Sequence, residues 1–309
     1  MNRILRECNY RYVLPCPGSV LSWARSFTDT AERAVSTALR SSEWVVAGEN
    51  RGDVIVESGT ESDLWLRRYC PGPPRATQLV FFPHAGGSAS FYRPYCMALS
   101  DRFDTLAVQY PGRQDRRAEP SVTDLHALAE SLFGQLRKIA DRPIAFFGHS
   151  MGALLAFEVA RHFEQRLDTS PVRLFVSGRR APSRPRVEAW QSAGDLGLIA
   201  EIRELSGTDP RLLGDEEMLD MIMVPLRADY RAVERYRFTP EPSLRCPVTT
   251  LTGDTDPRTS YDEASSWRDH TTGDFDIQVF PGGHFFIKDN LDDISGLVTE
   301  QLSAVPHSG

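Results

Sequence analysis

A chain of 309 residues with 41% hydrophobic and 25% charged side chains carries enough apolar material for a large buried core, as one catalytic domain with an insertion or as two small domains. Its net charge of −7 argues against nucleic acid as the main partner, and no run approaches the roughly 20 apolar residues that span a bilayer, which argues against a membrane protein. The five cysteines (Cys8, Cys16, Cys70, Cys96 and Cys246) are odd in number and lack paired CxxC spacing, so they read as reduced thiols of a cytoplasmic protein, with no metal site.

Residues 1–60 differ from the rest. Arg3, Arg6 and Arg11 precede a short apolar run, Val20 to Trp23, behind Pro15 and Pro17. That run is too short for a secretory signal, is interrupted by Ser22 and lacks a small-residue cleavage site. An N-terminal extension, partly disordered, is expected, with a helix over 28–40 where Ala31, Val35, Ala38 and Leu39 fall near helical spacing. From residue 64 onward, short apolar runs alternate with amphipathic segments. This predicts an α/β fold, a mainly parallel sheet covered by helices on both faces. The predicted strands are 64–69, 79–82, 105–108, 144–147, 174–177, 248–252 and 275–280; the predicted helices are 91–99, 123–139, 151–163, 261–268 and 291–302. Between 184 and 244 the alternation lapses, and helical patterns at 188–190, 196–205, 218–226 and 230–236 follow one another, punctuated by Gly207, Pro210 and Gly214. The expected organisation is an α/β core over 61–183 and 245–305 with an inserted helical lid over 184–244.

The strongest local signal is Gly148-His149-Ser150-Met151-Gly152, a GxSxG pattern between a predicted strand and a predicted helix. That is the context of the serine elbow of the α/β-hydrolase fold. Side chains at the two glycine positions would collide with the neighbouring strand and helix, and the helix start offers Ser150 a free backbone N–H and a favourable dipole. A serine at a helix start is otherwise an N-cap, and the strand–turn–helix context favours the nucleophile.

A serine nucleophile needs a base and an acid. Of seven histidines, His284 stands in Pro281-Gly282-Gly283-His284, directly after the strand 275–280, where a base can reach Ser150. The acid is expected after the preceding strand, in Gly253-Asp254-Thr255-Asp256-Pro257. Asp256 lies farther beyond the strand end and can reach back to His284 Nδ1; Asp254 fits a turn residue bonding its own backbone. The loop Pro83-His84-Ala85-Gly86-Gly87-Ser88 follows the strand 79–82, where this fold places its first oxyanion donor, so the N–H groups of Ala85 and Met151 form the expected oxyanion hole. A phosphate loop is disfavoured, because neither GxGxxG spacing nor a Walker lysine is present.

With these residues in place the chain resembles the type II thioesterases that accompany polyketide synthases and non-ribosomal peptide synthetases. The resemblance runs from about Trp65 to the last helix. Beyond the elbow it includes Phe82-Pro83-His84-Ala85-Gly86-Gly87, Gln109-Tyr110-Pro111-Gly112-Arg113, Ser177-Gly178-Arg179-Arg180-Ala181-Pro182, Gly253-Asp254-Thr255-Asp256-Pro257 and Gly282-Gly283-His284-Phe285. Residues 1–60 depart from the family pattern. By position, the resemblance implies the triad Ser150, Asp256 and His284, with oxyanion donors Ala85 and Met151. It further implies hydrolysis of acyl groups held as thioesters on the phosphopantetheine arm of carrier proteins, with no metal or dissociable cofactor, since the phosphopantetheine belongs to the substrate. An esterase using the same triad, or a carrier-binding protein without catalysis, are the competing readings.

Two further expectations concern recognition. Leu198, Leu205, Met221, Met223 and Tyr230 are candidates to line an acyl pocket, although helical apolar stripes more often form core. Arg113, Arg116 and Arg117, with Arg179, Arg180, Arg184 and Arg186, follow two predicted strands and are expected to ring the mouth of the site, unless neighbours such as Asp115 and Glu119 neutralise them.

Overall fold

A computed structural model describes residues 44–47, 54–57, 64–186, 190–205, 216–240 and 242–303. The chain divides into two units, Met1–Leu64 and Trp65–Gly309. In the first, β1 (Trp44–Ala47) and β2 (Val54–Glu57) pair as an antiparallel ribbon with Trp44 opposite Glu57. No strand is predicted there from the sequence; the expected helix over 28–40 lies outside the described residues.

The second unit is built on β3 (Leu66–Arg67), β4 (Gln78–Phe82), β5 (Asp104–Val108), β6 (Ile144–His149), β7 (Arg173–Ser177), β8 (Val248–Gly253) and β9 (Phe275–Phe280). They form one sheet in the order β3-β5-β4-β6-β7-β8-β9, parallel throughout except for β3, which runs antiparallel on β5 at the edge. β3 is shorter than its predicted span, because the chain at Leu64 and Trp65 is still in a helical turn. The inner strands are buried on both faces, which is why they read as continuous apolar runs. Val80, Phe82, Phe146 and Val176 face α2 (Leu125–Leu136) and α3 (Met151–Arg166), whereas Leu79, Phe81, Phe147 and Phe175 face α1 (Arg93–Leu99) and α7 (Leu291–Ser303). The side-chain period of two thus sends alternate residues into two cores.

Caps define the helices. The Asp124 carboxylate accepts the Ala127 N–H at 2.9 Å at the start of α2, and Ser260 with Glu263 makes a reciprocal capping box on α6 (Tyr261–Ser265). Between β7 and β8 lie α4 (Trp190–Glu204), broken at Gly194 where φ is 60°, and α5 (Glu216–Arg235). The segments 218–226 and 230–236, read as separate helices in the sequence, are one helix here. Pro225 sits inside it, removing one backbone donor without ending the helix. Leu198 and Ile202 of α4 pack on Met223 and Leu226 of α5 in a small core of their own. Cys96 and Cys246 are buried free thiols, and burial pushes both pKa values up, that of Cys96 to about 12.

Candidate active site

β6 ends at His149 and α3 begins at Met151, so Ser150 alone turns the chain, with φ 54° and ψ −114°. Few side chains adopt that conformation. The glycines on either side make it sterically possible. A Cβ on Gly148 would stand 2.2 Å from the Gly152 carbonyl oxygen, and one on Gly152 would stand 2.0 Å from that of Phe82. Ser150 N–H donates to Ser177 O at 2.8 Å, which ties the elbow to β7.

Asp256 and His284 come together from the ends of β8 and β9. The imidazole Nδ1 lies 3.0 and 3.1 Å from the two carboxylate oxygens of Asp256. A carboxylate only accepts, so the proton sits on Nδ1 and the lone pair on Nε2. The Asp256 side chain is fully buried and that of His284 is 4% exposed. Arg258 N–H donates to Asp256 Oδ1 at 2.8 Å and fixes the carboxylate. Asp254 does something other than bond its own turn: its Oδ1 accepts the Gly282 N–H at 2.8 Å, pinning the loop that carries His284. A Cβ on Gly253 would meet the carbonyl oxygens of Gly282 and Gly283 at 2.3 and 2.5 Å, so only glycine lets the two loops approach.

Ala85 and Met151 line the same cavity as Ser150 and His284. As the first residue of α3, Met151 has an N–H without an intrahelical acceptor. Two more imidazoles crowd the site. His84 stacks edge-on to Phe91 and Phe285, with ring centroids 4.6 and 4.7 Å away, and His149 Nδ1 lies 2.9 Å from Ser177 Oγ. Burial, reinforced by the nearby His284, depresses both pKa values: that of His84 falls to about 3, and that of His149 falls well below the ordinary histidine value.

Two adjoining cavities share Ala85, Ser150, Leu205, Tyr230 and His284. One extends along Arg179, Arg180, Glu201, Arg258 and Thr259; the other along Ile202, Ile222, Leu226 and Phe285. Of the predicted pocket residues, Leu205 and Tyr230 line these cavities. Leu198 and Met223 instead pack between α4 and α5, and Met221 is exposed. The apolar liners Ile202, Ile222 and Leu226 belong to the same helical stripes, and no local signal separates pocket from core there. The arginine expectation needs correction. Arg113 is buried against Asp229, and Arg116 is buried with its guanidinium on Glu119 and the Trp65 ring. Arg184 donates to Ser266 and Arg186 to Glu263, whereas Arg179 and Arg180 line the cavity itself. Of the first cluster only Arg117 is exposed.

Residues 77–302 match the family model described as thioesterase domain. The chain is 49% identical over 252 residues to the probable cadicidin biosynthesis thioesterase of Streptomyces griseus, covering 82% of this chain and 70% of that protein. It is 44% identical over 243 residues to thioesterase PikA5 of Streptomyces venezuelae, covering 78% and 86%. The solved type II thioesterase BorB from the borrelidin biosynthetic cluster superposes with a TM-score of 0.74 at 50% identity, covering 79% of this chain and all of that one. The α/β-hydrolase sheet is shared with solved thioesterases, and the chain belongs to the thioesterase family, among the type II thioesterases of polyketide and non-ribosomal peptide biosynthesis.

Proposed function

We propose that Ser150, His284 and Asp256 are the catalytic triad of this thioesterase, that Ala85 and Met151 are its oxyanion donors, and that its substrates are acyl groups on the phosphopantetheine arm of carrier proteins. The observation that carries the reading is the 3.0 Å contact of Asp256 with His284 Nδ1, in a cavity lined by both His284 and the elbow serine. His284 Nε2 takes the proton of Ser150 Oγ as the oxygen attacks the thioester carbon. The negative oxygen of the tetrahedral adduct faces the N–H groups of Ala85 and Met151. Collapse breaks the C–S bond, and the proton on His284 passes to the departing thiol. A water then gives one proton to His284 and attacks the acyl-enzyme, releasing the carboxylic acid and returning Ser150 to its hydroxyl form.

The assignment of carrier proteins rests on relatives named for biosynthetic pathways, among them a solved type II thioesterase from the yersiniabactin NRPS/PKS pathway. We assign the insertion 184–244, which carries α4 and α5, the role of a lid, because its residues Glu201, Leu205, Leu226, Tyr230 and Val233 line the cavities that hold Ser150. The proposed location is the cytoplasm, where such synthases work; no helix among the described residues is long and apolar enough to cross a membrane. The test is hydrolysis of an acyl carrier protein thioester against a matched oxygen ester, with the wild type and Ser150→Ala. Preferential release from the carrier, lost on the order of a thousandfold or more in Ser150→Ala, is expected. A Ser150→Ala protein that keeps its turnover defeats the triad, and preference for the oxygen ester defeats the substrate class.

A further inference from the structure

The segment Gln109-Tyr110-Pro111-Gly112-Arg113 touches neither Ser150 nor His284, and the proposed reaction leaves it without a task. Three of its residues bond the stretch 83–89. Gln109 Oε1 accepts the Ala89 N–H at 3.0 Å, and Tyr110 Oη donates to Pro83 O at 3.0 Å. Arg113 Nη1 donates to Gly87 O at 2.9 Å. Arg113 also pairs with Asp229 of α5 through two bonds of 2.8 Å, with the two side chains 5% and 1% exposed. Asp229 Oδ2 in turn accepts the Gly86 N–H at 2.7 Å. α5 presses so closely here that a Cβ on Gly86 would meet Leu226 Cδ1 at 2.7 Å.

Taken peptide by peptide, these bonds fix the donor loop. The plane between His84 and Ala85 holds the Ala85 N–H; its carbonyl accepts from Gly87 N–H at 2.9 Å, and in a trans peptide the N–H then points the opposite way. The next plane, between Ala85 and Gly86, is held by Asp229, and the plane after Gly87 is held by Arg113. We infer that Arg113 and Asp229 act together as positioning residues for the oxyanion loop, coupling helix α5 to the aim of the Ala85 N–H. The pair must also be neutral as a unit. A lone carboxylate at Asp229, one residue from the donor, would oppose the negative charge that develops on the substrate oxygen, and Arg113 cancels it.

The inference rests on the proposed role of Ala85, and its test is built to fail separately. For Asp229→Asn, Asp229→Ala, Arg113→Lys, Arg113→Met and the double variant Arg113→Met with Asp229→Met, kcat and KM are measured on butyryl-N-acetylcysteamine. The same proteins are titrated with phenylboronic acid, which forms a tetrahedral adduct on a serine nucleophile, and their folded fraction is read by circular dichroism. Misaiming one oxyanion donor is expected to lower kcat by about a hundredfold in Asp229→Ala, with KM nearly unchanged and boronate affinity falling in parallel. Asp229→Asn keeps an acceptor for Gly86 N–H and should recover most of kcat. Arg113→Met leaves the carboxylate uncancelled and should be worse than Asp229→Ala, and the double variant should regain part of that loss. Arg113→Lys cannot bridge Gly87 O and both Asp229 oxygens, so its kcat should fall about tenfold. If the truncations do not fold, Arg113→Lys decides: wild-type kcat and boronate affinity in that variant overturn the inference. So do folded Asp229→Ala and Arg113→Met proteins that keep both values, or losses that only follow the unfolded fraction. Those outcomes leave the triad standing as long as Ser150→Ala is inactive; an active Ser150→Ala protein removes the reading beneath.

Discussion

Ser150 should be a residue the protein would be more stable without. Its φ of 54° with ψ of −114° is a conformation natural to glycine and strained for any residue with a Cβ. Such strain costs on the order of 2 kcal/mol. Replacing Ser150 by glycine removes it, while the greater freedom of glycine in the unfolded chain returns about 0.7 kcal/mol. Ser150→Gly should therefore be more stable than Ser150→Ala by about 1 kcal/mol, which in a unit of this size raises Tm by about 3 °C. The comparison with alanine matters, because Ser150→Ala loses the hydroxyl but keeps the Cβ and thus the strain. Urea unfolding followed by circular dichroism, with melting curves on the same proteins, measures the difference. In the interior of a helix the order would be reversed, glycine being the weaker residue. If Ser150→Ala proves as stable as Ser150→Gly or more so, the elbow is unstrained and the conformational argument for a held nucleophile fails.

Asp256→Asn should lower kcat by about ten thousandfold, since an amide facing His284 Nδ1 favours the wrong tautomer. Asp254→Asn should keep activity within a few fold, because its amide oxygen still accepts the Gly282 N–H; the reverse ranking in steady-state kinetics would make Asp254 the acid. Acid should destabilise the fold before carboxylates titrate: His84 and His149 have pKa values below the unfolded value of 6.5, so the unfolded chain binds more protons, and their stabilisation is complete above pH 6.5 and lost as the pH falls. For His84 the cost should be about 2 kcal/mol at pH 5 relative to pH 8, with His149, His162 and His270 acting in the same sense, and equal unfolding free energies at the two pH values would show that these rings are not held neutral.

The features legible in the sequence are those set by neighbours along the chain. Strands buried on both faces read as apolar runs, and the two glycines beside Ser150 are demanded by clashes at 2.2 and 2.0 Å with residues that the elbow itself brings close. Asp256 and His284 were legible because the order of strands dictates which loops share the carboxyl edge of the sheet, and they lie 3.0 Å apart. What escaped depends on contacts distant in sequence. Arg113 reads as one more basic residue after a strand, yet its partner Asp229 is 116 positions away on α5, and together they are buried. Nothing within a few residues of either distinguishes a solvated charge from a buried pair. The fused helix α5 escaped for a related reason: the gap between the segments 218–226 and 230–236 holds Asp229, whose partners Gly86 and Arg113 are distant in sequence.

The same distinction between local and distant contacts explains how one histidine among three is singled out. His84, His149 and His284 form a chain of rings with centroids 6.1 and 5.1 Å apart, and all three are buried. Composition alone gives each an equal claim to accept a proton from serine. A proton on any of them would raise the cost of protonating the next, because two cations at such separations in a poorly solvated interior repel strongly. Only His284 faces a carboxylate; His149 spends Nδ1 on the Ser177 hydroxyl, and His84 lies between the rings of Phe91 and Phe285. Burial keeps those two neutral, so the cation that the proposed deprotonation of Ser150 would form on His284 meets no competing charge from them. In the proposed mechanism the base is therefore selected by where Asp256 stands, with His84 and His149 buried beside it as neutral imidazoles.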